Sequence, residues 1–243
     1  MDDPGLSGVT HPTSARLARL VEHYPHLPYV APMVTFLLLM ALQSVVTDKA
    51  WFPALYALRT FGALAVWCYF RPFYPPLGRM WLAIAVPAGL IAAYGWVTIH
   101  HWFAAQPWYW PEAPSVTELY NPFERLGDGW KLWTFLAIRI GGAATVVPMI
   151  EEIFWRAFVL RALIDWDRWE KLPLGQFTWP SFLICSAASA LQHPQWEVGI
   201  LCWMFYNALF YWKKSLLCLM ITHGVTNLAL YIYVVIYREW VFW

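Results

Sequence analysis

Charged residues are scarce in this sequence of 243 residues. They make up 13% of the chain, whereas hydrophobic residues make up 60% and aromatic residues 19%. A soluble domain usually has about 25% charged and about 45–50% apolar residues. The 16 Lys and Arg residues nearly balance the 15 Asp and Glu residues, so no basic surface indicates a nucleic-acid partner. This composition excludes a disordered, fibrous or secreted protein and predicts an integral membrane protein.

Cysteine is also rare, and it has none of the spacings of a disulfide or zinc framework. The chain contains no C-x-x-C pair and no H-E-x-x-H, the zinc-binding helix motif. It has no internal repeat, which a transporter would more often show. Residues 1–28 lack the apolar core and cleavage site of a signal peptide, and we expect an extramembrane arm there. The four cysteines, which lie in apolar stretches, are Cys68, Cys185, Cys202 and Cys218.

Long apolar stretches fill the rest of the chain and predict an all-α bundle in one transmembrane domain, residues 29–243. A helix needs about 20 apolar residues to cross a hydrocarbon core of about 30 Å. Residues 104–129, rich in Pro and Trp, suit a loop in the interfacial aromatic belt. The motif-bearing part of the domain is residues 131–237. The predicted spans are residues 29–46, 53–70, 80–103, 131–165, 179–193, 196–212 and 215–236.

Residues 131–165 decide between seven and eight spans, because they form either one helix or two. One helix would bend near Gly141, Gly142 and Pro148, whereas two spans would need a very tight turn there. With seven spans and a cytoplasmic N-terminus, nine Lys and Arg residues lie inside and four outside, so the positive-inside rule favours seven. Those inside are Arg16, Arg19, Arg71, Arg79, Arg161, Arg168, Lys171, Lys213 and Lys214, and those outside are Lys49, Arg125, Lys131 and Arg238.

Ionisable side chains within an apolar helix commonly mark a functional site, because each costs at least about 2.5 kcal/mol on insertion scales. The densest group is Glu151, Glu152 and Arg156. Glu152 and Arg156 are four residues apart, so they share a helix face and can form an ion pair. Glu151 points about 100° away from that pair, which predicts a free carboxylate suited to general acid or base catalysis. A buried Glu–Arg pair can also simply join two helices, and the pair alone leaves that alternative open.

Three more polar residues lie on later helices at a similar depth. His193 ends the fifth predicted span, and His223 and Asn227 are four residues apart on one face of the last. At 1.5 Å per residue from the inner helix ends, Glu151, His193 and Asn227 come to a depth of about 20 Å. Arg156 and His223 come to about 14 Å. Polar groups that serve only packing need not share a level, so we expect one polar cavity among the last four spans.

The same residues resemble the motifs of a known protease family. The run EEIFWR, a later helix ending in histidine, and the run THGVTN follow one another in that order. They resemble the E-E-x-x-x-R, F-x-x-x-H and H-x-x-x-N/D series of the CPBP family, the CAAX proteases and bacteriocin-processing intramembrane proteases. Over nearly its whole length the chain is most similar to the exosortase-associated CAAX-protease-related proteins of bacteria. The stretches that carry this similarity include VVPMIEEIFWRAFVLRALID, KLPLGQFTWPSFL and HGVTNLALYIYV.

The resemblance implies an intramembrane, glutamate-dependent endopeptidase that needs no cofactor. Peptide hydrolysis requires a base for water, an acid for the leaving amine, and donors for the oxyanion, each such donor contributing about 3–4 kcal/mol. One departure from the motif is Ser189, which replaces the aromatic residue four positions before the histidine. The resemblance assigns Glu151 and His193 to water activation, Glu152 and Arg156 to orientation of the site or substrate, and His223 and Asn227 to the oxyanion.

Two alternatives to a cofactor-free protease stay open. Glu151, His193 and His223 could form a three-ligand zinc site, which would make the protein a metalloprotease. A non-enzymatic transporter or a scaffold of an exosortase-type sorting system could keep the Glu–Arg pair as a structural lock. Such a lock has no use for an unpaired Glu151 at the level of the histidines, so the sequence favours the enzyme.

The expected setting is the bacterial inner membrane, with the chain crossing it several times. The expected partners are the lipid bilayer, a peptide or protein substrate that is membrane-anchored or processed, and proteins of an exosortase system. Nucleic acid is not expected. Arg59 and Arg139 also lie within predicted spans. They could contact a substrate carboxylate or pair inside the bundle, and we leave them out of the predicted site.

Overall fold

The computed structural model describes residues 12–109 and 120–243, and every regular element in these ranges is a helix. The all-α prediction is therefore confirmed for this part of the chain. Residues 1–11 of the predicted arm and 110–119 of the predicted interfacial loop lie outside the described residues. The α-helices are α1 (Pro12–His23), α2 (Leu27–Val45), α3 (Phe52–Phe70), α4 (Leu82–Ala104), α5 (Pro122–Leu126), α6 (Trp130–Ala144), α7 (Val146–Glu152), α8 (Leu160–Ala162), α9 (Trp179–Ala190), α10 (Trp196–Lys213) and α11 (Leu216–Tyr237).

A π-helix and four 3-10 helices complete the described elements. The π-helix, Ile153–Val159, joins α7 to α8 and carries Arg156. Hydrogen bonds in a π-helix skip one more residue than in an α-helix, and such segments occur frequently at functional sites. The 3-10 helices, three in connections between α-helices and the last after α11, are Lys49–Trp51, Arg71–Phe73, Trp169–Lys171 and Trp240–Phe242.

Four helical segments are long and apolar enough to cross a membrane, and the chain is a membrane protein by this criterion. They are α2, α4, α11 and the 33-residue segment Trp130–Ala162. The other predicted spans also contain helices, but Arg59 lowers the hydropathy of α3, and Glu197, Asn207 and Lys213 lower that of α10. Helix α9 has only 12 residues, about 18 Å at 1.5 Å per residue. The count of seven crossings therefore stays a prediction.

The long segment is one bent helix, as the one-helix alternative predicted. Helix α6 ends at Ala144 and α7 begins at Val146, with Thr145 between them at φ −124° and ψ −61°. The Thr145 hydroxyl donates to the Gly141 carbonyl at 2.7 Å. Pro148 has no N–H for the Ala144 carbonyl four residues earlier, which explains why the helix bends here. The bend at Thr145 and Pro148 therefore comes directly before the two glutamates at the end of α7.

Contacts between connections divide the helix ends into two groups. At one end, the chain before α4 meets the turn between α10 and α11, where the Ser215 hydroxyl donates to the Arg79 carbonyl at 2.6 Å. At the other end, the C-terminal end of α4 meets the chain after α11, where His101 Nε2 lies 2.8 Å from Glu239 Oε2. Helix α11 also packs against α4, α6 and α7, so it runs through the middle of the bundle.

Candidate active site

Two adjacent glutamates at the end of α7 have different neighbours. Glu152 is fully buried, and its Oε2 lies 3.1 Å from Arg156 Nη1, an ion-pair distance without the geometry of a hydrogen bond. Its other oxygen, Oε1, accepts a hydrogen bond of 2.9 Å from His223 Nδ1. Glu152 therefore lies between a cation on the next helical turn and an imidazole on α11.

Glu151 lies on the wall of a cavity of about 220 Å³ within the bundle. Its carboxylate accepts one hydrogen bond, 3.2 Å from the Gln192 side-chain amide, and no cation is within ion-pair distance among the described residues. Glu151 is buried, with 5% of its surface exposed. The neighbouring glutamates therefore have the separate environments that the helix geometry predicted.

The cavity brings together the polar residues that the sequence analysis placed at one level. His193, His223 and Asn227 line it together with Glu151. Glu152 and Arg156 do not line the cavity. Glu152 is hydrogen-bonded to His223, which does line it. From this position the Glu152–Arg156 pair can orient His223, whereas it does not contact a molecule in the cavity directly.

His193 lies in the turn after α9, between two tryptophan rings. Its ring centroid is 5.4 Å from that of Trp96 and 6.1 Å from that of Trp203. The side chain is half-buried and faces the cavity that also contains Glu151. Both side chains can therefore reach a water molecule or a peptide in this space.

His223 and Asn227 lie one turn apart on α11, as predicted from their spacing. The Asn227 amide donates to the Ala143 carbonyl at 2.8 Å, and that carbonyl lies at the end of α6, beside the bend. Tyr206 and Trp203 contact the His223 ring, with centroids 5.3 and 5.6 Å away. These contacts hold both side chains in fixed orientations against the cavity.

Arg156 is held by residues that the sequence analysis did not single out. Its Nε donates to Asn207 Oδ1 at 3.1 Å, and the Asn207 amide donates to the Ser186 hydroxyl at 2.9 Å. The Arg156 guanidinium carbon lies 4.1 Å from the centre of the Trp203 ring, a cation–π distance. All of these residues are buried, so Arg156 connects the π-helix to α9 and α10.

The sequence contained weak signals for these supporting residues. Gln192 directly precedes His193, and Asn207 is an amide in the otherwise apolar middle of α10. Ser189, where the family motif has an aromatic residue, is fully buried and donates to the Cys185 carbonyl of its own helix at 2.6 Å. The departure from the motif therefore leaves no unpaired hydroxyl, and Trp203 packs beside the histidine from α10.

The described residues contain no group of three or more His, Cys, Asp or Glu side chains placed to hold a metal ion. Glu151, His193 and His223 line one cavity, but the structure does not place them as such a group. The zinc alternative therefore stays a prediction, without support from the described residues.

Comparison with known proteins gives one match. A family model described as "Type II CAAX prenyl endopeptidase Rce1-like" matches residues 130–229, a range that includes both glutamates, Arg156, His193, His223 and Asn227. No curated protein and no solved structure gives a significant match. The part of the chain that builds most of the cavity is therefore similar to a family of CAAX prenyl endopeptidases, and this similarity supports a protease.

Proposed function

We propose that this chain is a glutamate-dependent intramembrane endopeptidase that hydrolyses a peptide bond within the cavity. The observation that carries the proposal is the contrast between the two glutamates. Glu151 faces the cavity with one neutral hydrogen-bond donor, while Glu152 next to it is occupied by Arg156 and His223. A lone structural ion pair would not require the second carboxylate or the histidine across the cavity.

Glu151 acts as the general base in this proposal. A water held between Glu151 and His193 gives its proton to the Glu151 carboxylate and attacks the peptide carbonyl. The proton then passes to the leaving amine, so the carboxylate ends the cycle in its starting form. Gln192, which donates to Glu151, fixes the direction of the carboxylate without neutralising its charge.

His223 and Asn227 stabilise the oxyanion of the tetrahedral intermediate. When both ring nitrogens of His223 carry a proton, Nδ1–H donates to Glu152 and Nε2–H remains for the substrate oxygen. The Asn227 amide has two N–H donors, of which the Ala143 carbonyl needs only one. Glu152 and Arg156 therefore act through His223 by holding its ring in place.

The proposed substrate is a peptide or protein that is itself membrane-associated, because the cavity lies among helices able to cross a bilayer. The proposed location is the bacterial inner membrane, and proteins of an exosortase system are the proposed partners, following the similarity of the sequence to exosortase-associated proteins. Zinc has no part in the proposal. Endopeptidase action is also what the matching family description names.

A cleavage assay tests the proposal. Membranes that contain the chain and the products of its neighbouring genes are compared with membranes that contain Glu151→Ala. We expect a shortened product, detected by mass spectrometry, only with the native chain. The same product from both membranes would contradict the proposal.

A further inference from the structure

Two arginines beside the cavity have no acidic partner among the described residues. Arg59 on α3 lines the cavity, and Arg139 on α6 lies behind it with 6% of its surface exposed. No described carboxylate is within ion-pair distance of either guanidinium. The Nε atom of each is buried and has no hydrogen-bond partner in the described part of the chain.

Aromatic rings surround both guanidinium groups. The guanidinium carbons of Arg59 and Arg139 lie 4.5 and 4.7 Å from the centre of the same Tyr56 ring. Trp243 lies 4.5 Å from Arg139 and Phe36 lies 4.8 Å from Arg59, measured in the same way. Cation–π contacts stabilise the positive charge but supply no acceptor for the N–H groups, so both arginines keep donors for another group.

Two buried arginines without acidic partners would destabilise a protein in which they serve only for packing. Isolated cations in an apolar bundle are rare, and they normally pair with an acid or with backbone carbonyls. Glu152 and Arg156 show that this bundle does pair its buried charges elsewhere. Among the described residues, therefore, neither Arg59 nor Arg139 has the partner that a buried cation normally takes, and Arg59 lies where an anion in the cavity can reach it.

We infer that Arg59 and Arg139 bind a carboxylate of the peptide substrate and so position it for cleavage. This inference rests on the proposed function, because a peptide in the cavity brings its carboxylates to the wall that contains Arg59. A guanidinium presents N–H donors in a planar fork that matches both oxygens of a carboxylate. The carboxylate comes either from the C-terminus of the peptide or from an acidic side chain, and the two sources share this chemistry.

The test measures binding without cleavage. Purified Glu151→Gln protein in phosphatidylcholine nanodiscs is dialysed against three mixtures of nonapeptides built from Ala, Leu, Phe, Ser and Val. One mixture has a free C-terminal carboxylate, one has an amide end and one internal Glu, and one has an amide end and no acid. We expect at least one carboxylate mixture to be retained about ten-fold more than the neutral mixture.

Two variants and a matched control connect that preference to the arginines. In the Glu151→Gln background, Arg59→Gln and Arg139→Gln should each reduce the preference to near one-fold. Arg168→Gln should keep it, because Arg168 is exposed and pairs with Asp165 outside the cavity. Since both cavity variants remove an unpaired buried cation, their melting temperatures without peptide should equal or exceed that of the parent. A purely structural pair of arginines would instead give lower melting temperatures.

Several results would overturn the inference. Equal retention of all three mixtures by the Glu151→Gln protein would do so. This measurement needs no arginine variant, so it is decisive even if the arginine variants aggregate. A preference that survives both glutamine variants would do so as well. Loss of the preference when phosphatidylglycerol replaces phosphatidylcholine would assign the arginines to a lipid headgroup. A carboxylate preference combined with no cleavage by the native chain would reject the proteolysis and keep the anion site.

Discussion

Neighbouring carboxylates with different partners are the main feature of this site at the scale of single residues. Glu151 and Glu152 share a helical turn, yet one faces a cavity and the other lies in a buried group with Arg156 and His223. A buried ion pair contributes little net stability, but removing one partner leaves the other charge uncompensated. The two glutamates should therefore respond differently to the same substitution.

The first prediction compares the stability of Glu152→Gln and Glu151→Gln in detergent. Glu152→Gln leaves the Arg156 charge without its counterion, which we expect to lower the free energy of unfolding by about 3–5 kcal/mol. Glu151→Gln removes a charge that has no cationic partner, so its stability should equal or exceed that of the native protein. Thermal and denaturant unfolding followed by circular dichroism measures both. Equal stability of the two variants would contradict the separate roles.

At the scale of helices, the close approach of α11 to the bent helix places His223 opposite Glu152. A Cβ atom at Gly224 would lie 2.4 Å from the Ala144 carbonyl oxygen, which is closer than atoms can approach. Ala144 is also the residue whose carbonyl loses its helical donor at Pro148. Gly224 and Pro148 therefore act together, since the absent side chain lets α11 pack directly on the bend.

The second prediction concerns Gly224→Ala. The added methyl group must push α11 away from the bend, which moves His223 from Glu152 and should lower the free energy of unfolding by about 1–3 kcal/mol. Gly141→Ala is the matched control, because a Cβ atom there meets nothing within 4 Å. It should be neutral, or stabilise by up to about 1 kcal/mol through helix propensity. If both changes gave the same unfolding curve, the close approach would not be important.

The helices and the meeting of Glu151, His193, His223 and Asn227 around one cavity were predictable from sequence, whereas the contacts that orient these side chains were not. Hydropathy locates helices because burial in lipid requires long apolar runs, and Pro148 with its neighbouring glycines marks the bend. The glutamates and histidines stand out because ionisable groups are rare in such runs. The composition of residues 153–159 does not indicate a π-helix. Asn207 and Gln192 are single amides, and their partners Arg156 and Glu151 lie elsewhere in the chain, so sequence alone does not pair them. The sequence also did not predict that α9 ends at Ala190, where the chain turns at Leu191, and so has only 12 residues.

At the scale of the whole molecule, the grouping of helix ends agrees with the predicted alternation of the chain across the membrane. The contact of Ser215 with Arg79 places the start of α4 beside the start of α11, and the contact of His101 with Glu239 places their other ends together. Helices α4 and α11 therefore run in the same direction. Seven crossings would give the third and the last span this same direction, whichever side of the membrane the N-terminus faces.

The third prediction tests that topology by cysteine labelling. After replacement of the four native cysteines, single cysteines are placed at the exposed positions Ala18, Asp167 and Arg238. With an impermeant thiol reagent on intact cells, only the cysteine at position 238 should react, because an odd number of crossings places the two termini on opposite sides. After the cells are opened, all three should react. Labelling at positions 18 and 238 alike in intact cells would mean an even number of crossings.

The fourth prediction concerns metal dependence. The described residues do not gather three ligands around one point, so extensive chelation should leave the cleavage rate unchanged. Elemental analysis of the purified protein should give much less than one zinc per chain. One zinc per chain, lost together with activity and restored by zinc alone, would establish a metalloprotease.

The most direct test of the account is the cleavage rate of Glu151→Gln beside the same change at a distant glutamate. Glu151→Gln keeps the shape of the side chain and removes only the proton acceptor, so the rate should fall by at least about 100-fold. Glu239→Gln is the control, since Glu239 pairs with His101 at the end of α11, outside the cavity, and its variant should cleave at nearly the native rate. Size-exclusion chromatography should show both variants folded. A Glu151→Gln protein that retains more than a few per cent of native activity would contradict the assignment of Glu151 as the general base.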